Sequence, residues 1–132
     1  MRRFVIAVAC IFALWATLDL IIHGLILGQD YLSTMGLWRP ITEMRMGLIY
    51  FTVLIFATVF VTIYVRFFRE RGITVAVQYG FILGLGIGIS MGYGTYAVMP
   101  IPYKMALVWF LGTLFETTMG GLVLGAIIGE RV

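Results

Sequence analysis

The sequence predicts an all-α protein, an integral membrane four-helix transmembrane bundle, and three observations carry that prediction. Of 132 residues, 62% are hydrophobic and 11% charged, with a mean hydropathy of +1.07. Soluble domains are nearer half apolar and a quarter charged, and so short a chain cannot hide this much apolar surface from water in one core. Second, the apolar residues gather into four runs, about 4–27, 47–68, 73–99 and 103–128. Each meets the ~20 residues that a helix needs to cross ~30 Å of hydrocarbon. Third, Gly80, Gly84, Gly88 and Gly92 recur every four residues in the third run, and Gly121, Gly125 and Gly129 repeat that spacing in the fourth. In a water-soluble helix each glycine costs about 1 kcal/mol against alanine. In a bilayer a bare stripe instead lets a second backbone approach closely, a main source of helix attraction there. One transmembrane domain over 1–132 is expected, with the third and fourth helices packed through these glycines.

The first run starts after Arg2-Arg3. It is too long for the apolar region of a signal peptide and lacks a clean small-x-small cleavage site, so it reads as a retained helix. It holds the single cysteine, Cys10, which excludes an intrachain disulfide and suits a small packing residue. Residues 29–46 form an outer capping loop, in which Tyr31 and Trp38 suit the headgroup level. Pro40 suggests a helix restart, since proline is tolerated in a first turn, and a short interfacial helix or a cap over the bundle is expected. The second run closes on RFFRERG, and the third and fourth are joined by Met99–Lys104, where Pro100 and Pro102 end one helix and begin the next. Asp19–Gly28 and Glu116–Gly125 share an acid at the start and a Gly-Leu-x-Leu-Gly close. That is the pattern of an inverted repeat, although with so few residue types chance alone suffices to produce it.

Orientation follows from the flanking cations. Arg2, Arg3, Arg66, Arg69, Arg71 and Arg131 share one side of a four-span topology, and Arg39, Arg45 and Lys104 the other. Six against three predicts that both termini are cytoplasmic, and the expected location is a bacterial or archaeal cytoplasmic membrane. These cations, part of a net charge of +3, sit at the ends of apolar runs. They do not form the clustered basic face that nucleic acid needs, so the expected partners are the lipid bilayer and either further copies of the chain or a larger membrane complex.

Three ionisable residues fall within the runs, Asp19, His23 and Glu116. Charge at that depth is costly and normally faces protein or water. Asp19 and His23, four apart, share a helix face. At 1.5 Å per residue Asp19 lies about 22 Å from one end of its helix and Glu116 about 20 Å from the opposite end of its own, which brings the two acids within several ångströms in depth if the helices are neighbours. Glu116 also lies on a row with Gly112 and Gly120, which predicts a facing helix. One reading is a proton or cation relay, with Arg39 and Glu43 at the outer mouth. The bland reading is interhelical hydrogen bonding, with Asp19 and His23 a local pair and Glu116 bonded to a Thr or Tyr hydroxyl.

A third reading is metal handling. His23 with Met35, Met44 and Met99 near the outer end could offer soft ligands to Cu(I), yet no Met-x-x-Met repeat occurs and methionine commonly fills apolar gaps. Trp15 and Trp109 read as ordinary lipid or helix contacts. No P-loop lysine, His-Glu-x-x-His or nucleophile elbow is written, and one histidine excludes bis-His haem ligation within the chain. No enzyme and no cofactor is therefore expected. The function classes that remain are a small transporter or channel for an ion or proton, a non-catalytic accessory or assembly subunit, and a metal-handling protein.

Overall fold

The computed structural model describes residues 1–129; Arg131, one of the six cations assigned to the terminal side, lies outside them. Helix α1 (Arg2–Asp19) continues without a break into a π-helical stretch, Leu20–Ile26. A short α2 (Gly28–Ser33) and two 3-10 turns, Met35–Leu37 and Ile41–Glu43, lead to α3 (Met46–Phe67), α4 (Ile73–Val98) and α5 (Tyr103–Ile128). The α1 unit with its extension, α3, α4 and α5 are each long and apolar enough to cross a membrane, and no strand occurs among the described residues. The protein is an all-α bundle of a membrane protein. Large apolar side chains such as Leu25, Phe51, Ile82 and Phe115 point outward from it, as lipid allows.

The closest pairing is α4 against α5. A methyl group added at Gly80 or Gly84 would strike Thr117, at Gly92 the Ala106 carbonyl, and at Gly88 would come within 2.8 Å of the Phe110 carbonyl. From α5, Gly121 meets Ala76, and a Cβ on Gly125 would stand 2.6 Å from the Ile73 Cα. The pairs run in opposite sense along the two chains, so the helices are antiparallel. Gly129 departs from this face. With φ +55 it ends α5, and a side chain there would meet nothing within 4 Å. The four-residue spacing carries on past the end of the helix, and so past the contact.

Helix α5 turns a second small-residue face, Gly112 and Gly120, to α1. Ile22 fills the space over Gly112 and the Trp15 ring that over Gly120. Helix α3 packs on the other side of α1, where Trp15 stacks on Phe56 and meets Phe60 edge-on. It meets α4 at the terminal side, through Phe60, Tyr64, Phe68 and Tyr79. The Tyr79 hydroxyl donates to the Phe60 carbonyl at 3.0 Å. The Tyr64 hydroxyl donates to the Gly72 carbonyl and accepts from the Gly72 amide, closing the α3–α4 link. Arg71 donates to the Val65 and Phe68 carbonyls at the end of α3, where a cation complements the helix terminus. In the other half of α3, Met46–Phe56, no residue is buried.

At the far side the segment after α1 folds over the start of α5. Leu27, Tyr31, Leu37 and Trp38 pack with Ile101, Met105, Ala106 and Trp109, and Lys104 pairs with Asp30 at 2.7 Å. This is the cap that the loop composition suggests, built as one short helix and a 3-10 turn. Pro40 precedes a 3-10 turn, and the membrane helix starts six residues later, at Met46.

Candidate functional site

Because α3 leans away from α4 beyond the aromatic cluster, a cavity of about 280 Å³ remains between the four long helices. Asp19, His23 and Glu116 all line it, with Trp15, Phe56, Ile87, Met91 and Trp109 among its walls. The acid on α1 and the acid on α5 come together because the antiparallel helices meet at matched depth, fixed by the contacts of Trp15 with Gly120 and of Ile22 with Gly112. The two carboxyl groups line the same cavity, one from each helix.

Glu116 is held from behind. Its backbone carbonyl accepts the Trp15 indole N–H at 2.7 Å, which sets the ring against Gly120 and the carboxyl toward the cavity. The Thr117 hydroxyl donates to the Thr113 carbonyl and that of Thr118 to the Leu114 carbonyl, both within α5. Those threonines therefore do not serve the carboxylate, and Glu116 Oε1 is buried without a hydrogen-bond partner among the described residues. Two like charges at such range in a low-dielectric interior repel strongly. A proton or a cation between two such carboxyl groups would offset that repulsion.

The π-helical stretch carries His23. Its Leu27 amide bonds the Ile22 carbonyl at 2.9 Å, five residues back, and such widened turns gather at functional sites. His23 Nε2 stands 3.6 Å from Asp19 Oδ1, ion-pair range rather than a hydrogen bond. His23 Nδ1 and the Tyr31 hydroxyl are 2.7 Å apart, and the Trp109 indole donates to the same hydroxyl at 3.0 Å. Since indole can only donate, Tyr31 accepts from Trp109, and the direction of the Tyr31–His23 Nδ1 bond follows the His23 tautomer. Burial holds the Tyr31 phenol above its usual range, with the Trp109 N–H opposing that shift and the Asp19 charge adding to it, so the hydroxyl keeps its proton.

Arg39 and Glu43 are exposed on the far-side loop and do not line the cavity. Met35 and Met44 are exposed, and Met99 packs into the cap. Both His23 nitrogens already face Tyr31 and Asp19. Among the described residues no three His, Cys, Asp or Glu side chains form a metal-holding group. Sequence reasoning missed three contributors. Trp15 and Trp109 read as ordinary lipid or helix contacts, and Tyr31 as a headgroup anchor. An acid, a histidine and two tryptophans at similar depth is a pattern that could have flagged a shared site. No family model, curated protein or solved structure matches the chain.

Proposed function

We propose that the protein moves protons or a small cation across the membrane by way of the Asp19–Glu116 pair. The observation that carries this reading is the buried, unpartnered Glu116 oxygen in a cavity that Asp19 and His23 also line. Acids that merely fix packing find donors, and Glu116 lacks one although threonines flank it. His23 supplies a titratable step beside Asp19, with Tyr31 and Trp109 holding its ring. No bond-making chemistry is assigned to the site. The excess of flanking arginine supports an orientation with both termini in the cytoplasm. The Gly80–Gly92 row is covered by α5 within one chain, so it does not supply the open face that an accessory subunit would offer a partner.

The test is flux in proteoliposomes under an imposed proton or cation gradient, comparing the wild type with Asp19→Asn and Glu116→Gln. Flux lost in both variants, with helicity and monodispersity intact, is the expected result. A wild type that passes nothing, or variants that pass as much, would overturn the proposal.

A further inference from the structure

The cavity walls are wrong for a bare metal ion and right for a different kind of cation. Calcium takes 6–8 oxygen ligands and magnesium near-octahedral oxygen geometry. Here the acids and histidine do not form a metal-holding group among the described residues, and the Thr117 and Thr118 hydroxyls are committed to their own helix, which leaves Thr113 as the one threonine hydroxyl of the lining without such a bond. The volume of about 280 Å³ is the share of roughly nine liquid waters at ~30 Å³ each. It stands near the lower end of small-molecule sites, ~300 Å³, and a single desolvated ion would leave most of it empty.

Apart from Gly112, Thr113 and Thr117, the rest of the lining is aromatic and aliphatic, with Trp15, Phe56 and Trp109 beside Val53, Ile87 and Met91. Aromatic faces attract organic cations, most strongly where water is excluded. The way in fits as well. Asp19 and His23 side chains are 34% and 45% exposed at membrane depth. Helix α3 meets α4 through Phe60, Phe68 and Tyr79 at the terminal side, while Val53 and Phe56 farther along α3 line the cavity.

We infer that the cavity binds a hydrophobic monovalent organic cation, an amine or quaternary ammonium of about ten heavy atoms, with its charge between the Asp19 and Glu116 carboxyls and its apolar body against Trp15, Phe56 and Trp109. The inference rests on the reading of that carboxyl pair as a proton or cation site, and it names the cargo. One positive charge replaces one proton between the carboxyls, so each cation that enters releases a proton.

The probe is benzyltrimethylammonium, whose charge is fixed at every pH, titrated calorimetrically into the full-length protein in detergent. Neopentylbenzene, its uncharged isostere, and sodium chloride serve as competitors. Saturable binding is expected, with acidification of a weakly buffered sample. Glu116→Gln and Asp19→Asn should each weaken it about tenfold or more, the loss of one charge-assisted contact. Neither competitor should displace the probe at matched concentration. If Glu116→Gln does not fold, Asp19→Asn and the proton release decide. Absence of saturable binding, equal binding to both variants, or displacement by sodium would overturn the inference. Carboxylate-dependent proton flux without probe binding refutes the organic cargo and leaves the transport proposal standing. Carboxylate-dependent binding without any flux does the reverse.

Discussion

Replacing Gly88 by alanine tests the contact that sets the bundle. An ideal Cβ at Gly88 falls 2.8 Å from the Phe110 carbonyl oxygen, 3.1 Å from the Phe110 ring and 3.4 Å from the Thr113 Cβ. Ordinary contact begins near 3.4 Å, so α4 and α5 must part locally by about 0.6 Å, the difference of those two distances, and the obstacle is backbone that cannot rotate away. A gap of ~0.5–1 Å forfeits a quarter to a half of each dispersion contact along the seam, and overpacked interiors lose about 1–3 kcal/mol. Gly86, two residues away on the same helix, is the internal control. Its added methyl meets nothing within 4 Å, so Gly86→Ala feels only the helix-propensity term, a stabilisation of at most ~1 kcal/mol. The propensity gain is common to both variants, so unfolding in mixed micelles, followed by circular dichroism, should place Gly88→Ala roughly 1–3 kcal/mol below Gly86→Ala. A Gly88→Ala protein as stable as its control would refute the view that backbone contact at this row holds α4 to α5.

Two further outcomes follow from the polar contacts. Tyr79→Phe removes the hydroxyl that ties α4 to the Phe60 carbonyl of α3, and should cost about 1 kcal/mol in the same assay while loosening α3 in hydrogen exchange. No loss would mean that ring packing alone fastens α3. Tyr31 gives a pH signature. Its phenol is raised above the usual value of 10 by burial, with Trp109 opposing and Asp19 adding. The folded state thus keeps a proton that the unfolded chain sheds, and its contribution is complete below pH 10 and lost as pH rises through the folded value. Wild type should therefore lose stability above pH 10 more steeply than Tyr31→Phe, and parallel curves would refute the assignment.

The spans were legible because lipid imposes one rule on every residue of a helix that crosses it. The run around Met46–Phe67 announces itself by length and composition whatever it packs against, and its observed ends differ from the sequence estimate by one residue. The glycine rows were legible for the same reason, since few other pressures place four glycines at one spacing in a helix. Their contacts were less so. Gly121 touches α4, while Gly129, identical in the sequence pattern, lies beyond the helix. The acids stood out singly by their cost in lipid, and equal depth on antiparallel helices let their meeting be framed. That Trp15 would turn inward required knowing which helix neighbours which, and that is settled by Gly120, a hundred residues away in the chain. The pairing of Tyr31 with His23 depends on the π-helical stretch, for which local propensity gives no signal, because its extra residue per turn is sustained by the cap that folds back over α5.

Helix α5 makes the site by offering small residues on two faces, and that claim can be separated from general packing by comparing two glycines. Gly112 and Gly120 flank Glu116 by one turn each, and both face α1. At Gly112 the nearest atom to an added Cβ is the Ile22 Cδ1 at 3.0 Å, the far end of a flexible side chain, and one rotamer change absorbs it. At Gly120 the obstacle is the Trp15 ring, with Cζ2 at 2.9 Å and Nε1 at 3.0 Å. That ring is pinned by its hydrogen bond to the Glu116 carbonyl and by stacking on Phe56. Gly112→Ala should therefore leave stability and probe binding close to wild type. Gly120→Ala must displace Trp15, breaking a hydrogen bond worth about 1 kcal/mol and moving an aromatic wall of the cavity. Intrinsic fluorescence should report the displaced indole, and benzyltrimethylammonium binding should weaken in Gly120→Ala alone. If both variants behave alike, the position of Glu116 does not depend on Trp15, and the carboxyl is held by the α4–α5 seam instead.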